Sequence, residues 1–393
     1  MTTGREADAG VGPLHGVRVV ELAGVIMGPY AAQQLGDLGA DVIKVEPPTG
    51  DLTRHYPPTR SPGMGVMTLN LNRNKRSVVL DLKAPDGRDA LLALLATADV
   101  FLTNVRPQAL RRLGLTYEDV AAAAPGLVYL NAQGFRSDSA LGGRPAYDDV
   151  VQAASGLVWL NEQVSGVPYY VPTVLADKIC GLVIVQSVLA ALHHRDRTGQ
   201  GQHIEVPMAD TMLAFNLVEH LAAATLTPPD GPIGYPRALS PRRTASRTAD
   251  GWMCLLPYSD RNWRDFFAHV GRPELADDPR FASYAARARN ADALYVLLGE
   301  LTERHTTAEW QEFCTAAQIP AAPVLSLAEA ATSAYATEGG LLREAEHPTE
   351  GGYRLIGQPV RFGATPAGVH RHCPHLGEHT EEVLAEIGHR PSA

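Results

Sequence analysis

Residues 17–46 read VRVVELAGVIMGPYAAQQLGDLGADVIKVE, in which two short apolar runs flank an amphipathic segment. The runs Val17–Leu22 and Asp41–Glu46 are rich in valine and isoleucine and predict β-strands. The segment Pro29–Leu38 between them carries apolar residues at helical spacing and predicts an α-helix. A strand, a helix and a strand in this order form a βαβ unit, whose two strands are parallel.

The alternation of strands and helices continues beyond this unit. Helices are predicted after Pro85, after Thr116 and at Ile179–Leu192. The last of these is apolar on nearly all sides, so it is predicted to be buried. Further strands are predicted at 77–82, 100–103, 127–130 and 203–206. Strands separated by helices predict an α/β domain with a parallel sheet covered on both faces.

The composition of the chain changes at Thr227–Pro236, which is rich in proline and glycine, as is typical of a linker. Beyond it a strand at 251–256 and three helical segments predict a smaller α+β domain. From about Pro323 the pattern returns to short helices and strands. The predicted organisation is a flexible N-terminus at 1–12, a large domain at 13–226 and 323–393, and a linker with the small domain at 227–322.

Composition and charge exclude several classes of protein. The 393 residues include 34 Lys and Arg against 43 Asp and Glu, so a net charge of −9 gives no general attraction to nucleic acid or anionic lipid. The four cysteines are far apart and form no C-x-x-C pair, which is typical of buried free thiols in a reducing compartment. No segment resembles a membrane span or the apolar core of a signal peptide. These features predict a cytoplasmic protein that does not bind membranes.

Common nucleotide and hydrolase motifs are absent from the sequence. It contains no G-x-x-x-x-G-K-[ST] or G-x-S-x-G motif, and no G-x-G-x-x-G follows the first strand. The segment His370–His379 is rich in histidine, but its spacing matches no zinc motif, so a solvated loop without metal is predicted. Three basic pairs either hold phosphates or face solvent: Lys75-Arg76, Arg111-Arg112 and Arg242-Arg243.

Asp177 stands immediately before the apolar helix predicted at Ile179–Leu192. One interpretation is an N-cap, in which the carboxylate accepts the free N–H groups of the first helical turn. The other is a nucleophile, because the same helix end keeps a carboxylate ionised and an ionised carboxylate can attack a thioester. The position in the sequence does not decide between the two.

Six segments, taken in order along the chain, carry a resemblance to a known family. They are Pro13–Leu22, Leu38–Glu46, Asn72–Ser77, Arg112–Leu115, Arg195–Gln202 and Leu376–Thr380. In order and spacing they resemble the family III CoA-transferases, which include formyl-CoA transferase, carnitine CoA-transferase and α-methylacyl-CoA racemase. The resemblance implies a Rossmann-like large domain whose parallel sheet is built from both chain ends, together with a smaller α+β domain. It also implies a homodimer of two interlocked chains.

The resemblance further implies the residues of the site. The family's catalytic carboxylate falls on Asp177, and Tyr147 either contacts the reacting groups or packs on the core of the large domain. The implied ligands are an acyl-CoA and a carboxylic acid, both as substrates, and no metal. The family's contacts with coenzyme A fall on Leu80, Leu82, Lys83, Asn104, Val105, Ala109 and Arg112.

Three positions depart from the patterns of the family. Racemases pair the aspartate with a histidine, where this chain has Tyr147; formyl-CoA transferase has a glutamine where this chain has Ile26; and Pro47 replaces a common basic residue. We therefore predict an acyl-CoA:carboxylate CoA-transferase that works through an aspartyl acyl-anhydride and an aspartyl-CoA thioester. Two alternatives stay open, namely a racemase or epimerase of the same fold and a catalytically silent CoA-binding protein.

Overall fold

A computed structural model of the chain describes residues 12–389, so the N-terminus predicted to be flexible lies almost wholly outside the described residues. The chain forms two compact units. The first comprises the described residues up to Leu157, Tyr170–Phe215 and those from Ala334 onward. The second comprises Val158–Tyr169 and Asn216–Ser333. The domain boundaries predicted from composition stay predictions.

The strands of the described part of the chain form three separate sheets. Six parallel strands in the order β3-β2-β1-β4-β5-β6 make up the sheet of the first unit, and β10 and β11 form an antiparallel hairpin. The third sheet, β7-β8-β9, is antiparallel. The strands are β1 (Arg18–Leu22), β2 (Asp41–Glu46), β3 (Lys75–Val79), β4 (Val100–Thr103), β5 (Val128–Gln133), β6 (Gln202–Pro207), β7 (Ser246–Arg247), β8 (Trp252–Leu255), β9 (Ala321–Pro323), β10 (Leu342–His347) and β11 (Gly351–Ile356).

The helices alternate with these strands, as the sequence predicted for the first unit. They are α1 (Met27–Asp37), α2 (Val66–Leu71), α3 (Pro85–Leu95), α4 (Pro107–Leu113), α5 (Tyr117–Ala121), α6 (Asp148–Ala154), α7 (Leu157–Ser165), α8 (Leu175–Thr198), α9 (Met208–His220), α10 (Pro236–Leu239), α11 (Asp260–His269), α12 (Tyr284–Arg289), α13 (Ala291–Thr302), α14 (Thr307–Ala317), α15 (Leu327–Thr332), α16 (Ala334–Glu338) and α17 (Thr380–Glu386).

The parallel sheet is covered on both faces, which confirms the prediction. Neighbouring residues of a strand point to opposite faces, so Val19 packs in one hydrophobic cluster and Val20 in another. The first cluster also receives the buried faces of α1 and α8, and the second receives those of α3 and α17. The strand order is that of the Rossmann fold. The chain first adds strands on one side of β1, as β2 and β3, and then on its other side, as β4 to β6, so the order of strands reverses between β1 and β4.

Up to residue 389, the C-terminal part of the chain contributes a helix to the large unit and no strand of the parallel sheet. All six strands lie between Arg18 and Pro207, so the expectation of a sheet built from both chain ends is wrong for its strands. Instead α17 packs beside β3, where Arg76 contacts Glu382 at 2.9 Å and Arg18 contacts Glu386 at 2.9 Å. The family resemblance implied that this segment joins the large domain, and it joins it as the helix α17.

The histidine-rich segment before α17 is only partly solvated, which corrects the prediction of a solvated loop. Asn74 accepts the backbone N–H groups of His370 and Arg371 on its Oδ1 at 2.8 and 2.9 Å. Cys373 and His379 are buried. Among residues 12–389, no group of three histidine, cysteine or acidic side chains is arranged to hold a metal ion.

Helix α8 is buried on one face, so the prediction that this helix is buried holds for that face and is wrong for the other. Ile184 and Val188 are fully buried against the sheet, whereas Leu182 and Leu189 are 51% and 39% exposed. The helix is long and apolar enough to cross a membrane by length and composition alone. Its packing against the parallel sheet is that of a core helix.

The second unit has its own hydrophobic core between the three-stranded sheet and helices α11, α13 and α14. Trp310, Phe266 and Phe267 are fully buried there, and Phe266 stacks on Trp310 with ring centroids 5.4 Å apart. Helices α11 and α14 each begin with a capping box, from Ser259 and Thr306 respectively, so local sequence fixes where they start.

Candidate active site

A cavity of about 320 Å³ opens at the carboxyl end of the parallel sheet. Its wall includes the residues that directly follow β1, β4 and β5, namely Gly24–Met27, Asn104 and Gly134. Strands β1 and β4 are the neighbours between which the strand order reverses. Ligands of open α/β sheets bind in the crevice outside the carboxyl ends of the strands at this reversal. The fold therefore puts this cavity where a binding site is expected.

The loop between β1 and α1 forms one wall of the cavity and is strained. Val25 has φ of 68°, in the left-handed region that a β-branched residue rarely adopts. Asn104 holds the loop by accepting the Gly24 N–H at 3.0 Å and donating to the Gly24 carbonyl at 2.8 Å. Asp51 accepts the Val25 N–H at 3.1 Å. Strain of this kind costs roughly 1–3 kcal/mol and persists because several contacts impose the conformation.

Buried ion pairs lie beneath this loop. Lys44 contacts Glu21 and Asp51 at 3.0 Å each and donates to the Ala23 carbonyl at 2.7 Å. Burial opposes the charge of Lys44, but the carboxylates of Glu21 and Asp51 prevail and raise its pKa. Lys75 pairs with the second oxygen of Glu21 at 2.8 Å, and burial lowers the pKa of Lys75 to about 8.

Lys75 and Arg76 therefore neither face solvent nor hold phosphates, in contrast to both interpretations of this basic pair. Lys75 is fully buried, and Arg76 is buried and pairs with Asp41 at 2.7 Å. The other two pairs, at 111–112 and 242–243, are exposed. Acidic partners that are distant in sequence account for the difference, since Glu21 and Asp41 lie on neighbouring strands.

Asp177 does not cap α8, so the N-cap interpretation is wrong. The helix begins at Leu175, two residues earlier, and Asp177 lies in its first turn. The cap comes from Asp148 at the start of α6, whose Oδ1 accepts the Asp177 N–H at 3.0 Å. Gln152 orients Asp148 by donating to its Oδ2 at 2.5 Å. The carboxylate of Asp177 is thereby left free for another role.

The side chain of Asp177 lines the cavity, and the structure of residues 12–389 shows no hydrogen bond to its carboxylate. Burial, with a smaller contribution from the negative charge of Asp148, raises the pKa of Asp177 from 3.8 to about 7. Such a carboxyl group is close to half ionised at neutral pH. It is also more basic than an ordinary aspartate, which makes it a better nucleophile once ionised.

Tyr147 also lines the cavity and immediately precedes α6. Its side chain is 64% exposed, so in the single chain it does not pack on the core. Arg106 and Arg144 line the cavity as well and had no predicted role, although Arg106 directly follows Asn104-Val105 after β4. Both arginines are exposed. The cavity thus combines one carboxyl group, one phenol and two cations.

The seven residues predicted to contact coenzyme A fall into three places. Leu82, Lys83, Ala109 and Arg112 line a second, open cleft of about 880 Å³, together with Arg88 and Arg111. Asn104 lies in the wall of the Asp177 cavity, and both polar atoms of its amide bind Gly24. Leu80 is buried in the core cluster that contains α3, and Val105 packs against the same cluster.

Comparisons with known proteins agree with this geometry. A family model described as CoA-transferase family III matches residues 14–380. The chain is 30% identical over 385 residues to the succinyl-CoA:glutarate CoA-transferase of Homo sapiens, covering 95% of this chain and 86% of that protein. It is 31% identical over 406 residues to the formyl-CoA:oxalate CoA-transferase of Afipia carboxidovorans, covering 95% and 93%.

A solved structure has the same fold. The crystal structure of a CAIB/BAIF family protein from Brucella suis matches with a TM-score of 0.81 and 30% sequence identity, covering 96% of this chain and all of that one. The family model, the sequence relatives and the fold all extend over nearly the whole chain, and the relatives named above are CoA-transferases. The chain therefore belongs to the family III CoA-transferases.

Proposed function

We propose that this enzyme transfers CoA from an acyl-CoA to a carboxylic acid, with Asp177 as the covalent nucleophile. The observation that carries the proposal is the Asp177 carboxylate, which lines the cavity at the strand reversal without a hydrogen-bonding partner among the described residues. A structural aspartate at a helix end is normally bonded to backbone N–H groups. The absence of such bonds favours a chemical role.

In the proposed reaction, the Asp177 carboxylate attacks the thioester carbonyl, the C–S bond breaks, and CoA leaves as a thiolate from a mixed anhydride. The thiolate then attacks the aspartyl carbonyl of the anhydride, which releases the donor acid and leaves an aspartyl-CoA thioester. The acceptor carboxylate attacks that thioester and forms a second anhydride with release of the thiolate. Attack of the thiolate on the acceptor's acyl carbon yields the new acyl-CoA and regenerates Asp177.

The start of α1 supports the tetrahedral intermediates of these steps. The helix begins at Met27 in the cavity wall, and its cap residue Ile26 makes no side-chain cap bond. The first N–H groups of a helix have no partner within the helix, and they stabilise developing negative charge on oxygen. Gly28 allows α1 to start this close to the sheet, because a Cβ there would lie 2.4 Å from that of Ala23.

The open cleft near β3 is the proposed site for the nucleotide end of CoA. Lys83 and Arg112 supply cations to its phosphates, while Leu82 and Ala109 contact its apolar parts. Asn104 holds the strained loop, and Leu80 and Val105 support the cleft from the core. We also propose that Tyr147, which lines the same cavity, donates a hydrogen bond to the anhydride or orients Asp177. Pro47 is exposed and supplies no cation.

A racemase of the same fold is the main alternative. Proton exchange at an α-carbon needs a base on each face of the substrate, whereas no histidine is among the described residues that line the cavity. Incubation of an acyl-CoA in deuterated water without an acceptor acid tests this alternative, since a racemase incorporates deuterium. The silent CoA-binding protein is disfavoured because it would keep Asp177 only as a cap, and Asp148 provides that cap.

Mass spectrometry of the intact protein after incubation with an acyl-CoA and hydroxylamine tests the proposal. We expect a hydroxamate on Asp177 in the wild type and none in Asp177→Asn. The Asp210→Asn variant is a matched control, because Asp210 is exposed and lies outside the cavity. An unmodified Asp177 in a protein that turns over acyl-CoA and acid would exclude covalent catalysis by this residue.

We also propose an interlocked homodimer and a cytoplasmic location. Exposed apolar side chains on α8, such as Leu182 and Leu189, support association with a second copy. The four cysteines support a reducing compartment because all are free. Three of them are buried and Cys254 is exposed, which corrects the expectation that all four are buried.

A further inference from the structure

The second unit contains a cavity of its own, with a volume of about 310 Å³. Its floor is apolar and consists of the buried side chains of Leu255, Trp263, Leu294 and Leu298. Its rim carries exposed tyrosines, among them Tyr258. Small-molecule sites are typically concave and apolar, with few polar groups that fix the ligand's orientation.

Two arginines line this cavity, and only one of them is neutralised. Arg287 is buried, pairs with Asp260 and donates to the Phe281 carbonyl at 2.8 Å. Arg237 donates from Nε to the hydroxyl of Tyr295 at 3.2 Å. Within residues 12–389 no carboxylate forms an ion pair with Arg237. The cavity therefore presents one guanidinium whose positive charge no acidic side chain balances.

We infer that this cavity binds a free monocarboxylic acid with an apolar body, whose carboxylate pairs with Arg237 and whose body contacts the leucine and tryptophan floor. A guanidinium presents parallel N–H donors that match the two oxygens of a carboxylate. A single cation above an apolar floor is a poor match for a phosphate, which carries more charge and usually meets several donors. All residues that line this cavity belong to the second unit, whereas Asp177 belongs to the first.

The arrangement distinguishes an acid from its CoA ester. A free acid carries the anionic head that Arg237 attracts, whereas the thioester carbonyl of an acyl-CoA is neutral. Free acids are also the substrates and products of CoA transfer. The second unit would therefore bind the unesterified form of an acid without binding the acyl group of its ester.

Calorimetric titration of the full-length protein with octanoate tests this inference, with saturating CoA present to occupy the site of transfer. We expect one octanoate per chain, and at least tenfold weaker binding by Arg237→Gln. Ala288→Phe should also abolish binding, because Ala288 is an exposed residue of the lining and a ring there fills the mouth. Arg264→Gln is the matched control, since Arg264 is exposed on α11 and does not line the cavity.

Two further ligands distinguish the contribution of the carboxylate charge to binding from that of the alkyl group. Octan-1-ol should bind at least tenfold more weakly than octanoate, and octanoyl-CoA should bind Arg237→Gln as it binds the wild type. The inference is overturned if octanoate binds Arg237→Gln and the wild type equally. It is also overturned if octanoate fails to bind the wild type, or binds only when Asp177 is intact.

Discussion

The environment of Asp177 couples chemistry to stability. Its carboxyl group is partly buried and lies near Asp148, and neither factor is offset by a hydrogen bond among the described residues. An ionised group in such surroundings costs free energy that a neutral amide does not. Residues with strongly shifted pKa values concentrate at functional sites for this reason. If the role of Asp177 were purely structural, a neutral residue at this position would give a more stable protein.

Asp177→Asn should therefore stabilise the protein at neutral pH. The folded-state pKa is about 7 against an ordinary value of 3.8, so unfolding releases a proton between these values and the wild type loses stability as the pH rises. The advantage of the asparagine variant should grow from about pH 4 to pH 7 and then level off at about 1–3 kcal/mol. Urea unfolding at several pH values measures it, and a constant difference across that range would contradict the assignment.

The same pKa predicts the pH dependence of catalysis. Only the ionised carboxylate attacks a thioester, so kcat/KM for CoA transfer should rise with pH and reach half its maximum near pH 7 in the free enzyme. Asp148→Asn should move this midpoint to lower pH, because the negative charge of Asp148 contributes to the raised pKa of Asp177. A midpoint near pH 4 in the wild type would mean that Asp177 is not the titrating nucleophile.

The cations of the open cleft provide a separate prediction about binding. Replacing Lys83 or Arg112 by alanine should weaken the binding of acyl-CoA by about 1–3 kcal/mol, the magnitude of a charge-assisted hydrogen bond. Arg242→Ala is the control, because Arg242 is exposed in the other unit. Calorimetry with a non-hydrolysable acyl-CoA analogue measures the effect, and unchanged affinity in both variants would place the nucleotide elsewhere.

Among the elements, the β1–α1 loop shows how packing imposes a local conformation. Nothing in the residue types of Gly24 and Val25 favours a left-handed valine, yet two bonds from Asn104 and one from Asp51 hold it. Asp51 is itself held by Lys44 at 3.0 Å. The buried ion pair of Lys44 and Asp51 therefore helps to position the backbone of this loop, which forms one wall of the cavity.

Substitutions at this loop should distinguish the backbone strain at Val25 from the hydrogen bonds by which Asn104 holds Gly24. Asn104→Ala removes both bonds to Gly24, so we expect it to lower stability by about 1–3 kcal/mol and to reduce kcat. Val25→Gly should preserve both, because glycine adopts positive φ without a steric cost. Thermal unfolding and steady-state rates test the pair. Equal loss in the two variants would indicate that side-chain contacts of Val25, and not the loop conformation, matter.

Elements with strong local patterns were predictable, and those fixed by distant partners were not. The predicted bounds of β2 and β4 agree with the structure residue for residue. The start of α8 was misplaced because its cap, Asp148, lies 29 residues before Asp177. Likewise both interpretations of Lys75 and Arg76 failed because their acidic partners, Glu21 on β1 and Asp41 on β2, are distant in sequence. The candidate nucleophile rested on the family resemblance, since the local sequence did not decide between a cap and a nucleophile.

At the scale of the whole molecule, the two sides of α8 differ in their exposure to solvent. One side completes the core beneath the parallel sheet, through Ile184 and Val188, while the other exposes Leu182 and Leu189 to solvent. Large exposed apolar patches on a protein mark sites of interaction with other molecules. The apolar sequence of this helix predicts that it is buried. That prediction is met on both sides of the helix only if a second chain covers the exposed side.

We therefore expect a dimer that persists at micromolar concentration and below, since interlocked chains separate only by unfolding. Sedimentation velocity over a dilution series measures this, and a monomer at micromolar concentration would contradict it. Leu182→Arg should abolish the dimer or prevent folding, because a covered interface leaves the added charge unpaired. Leu327→Arg is the control, as Leu327 is 86% exposed on a different element. If Leu182→Arg folds, remains dimeric and keeps its melting temperature, this face of α8 is solvated and the association uses another surface.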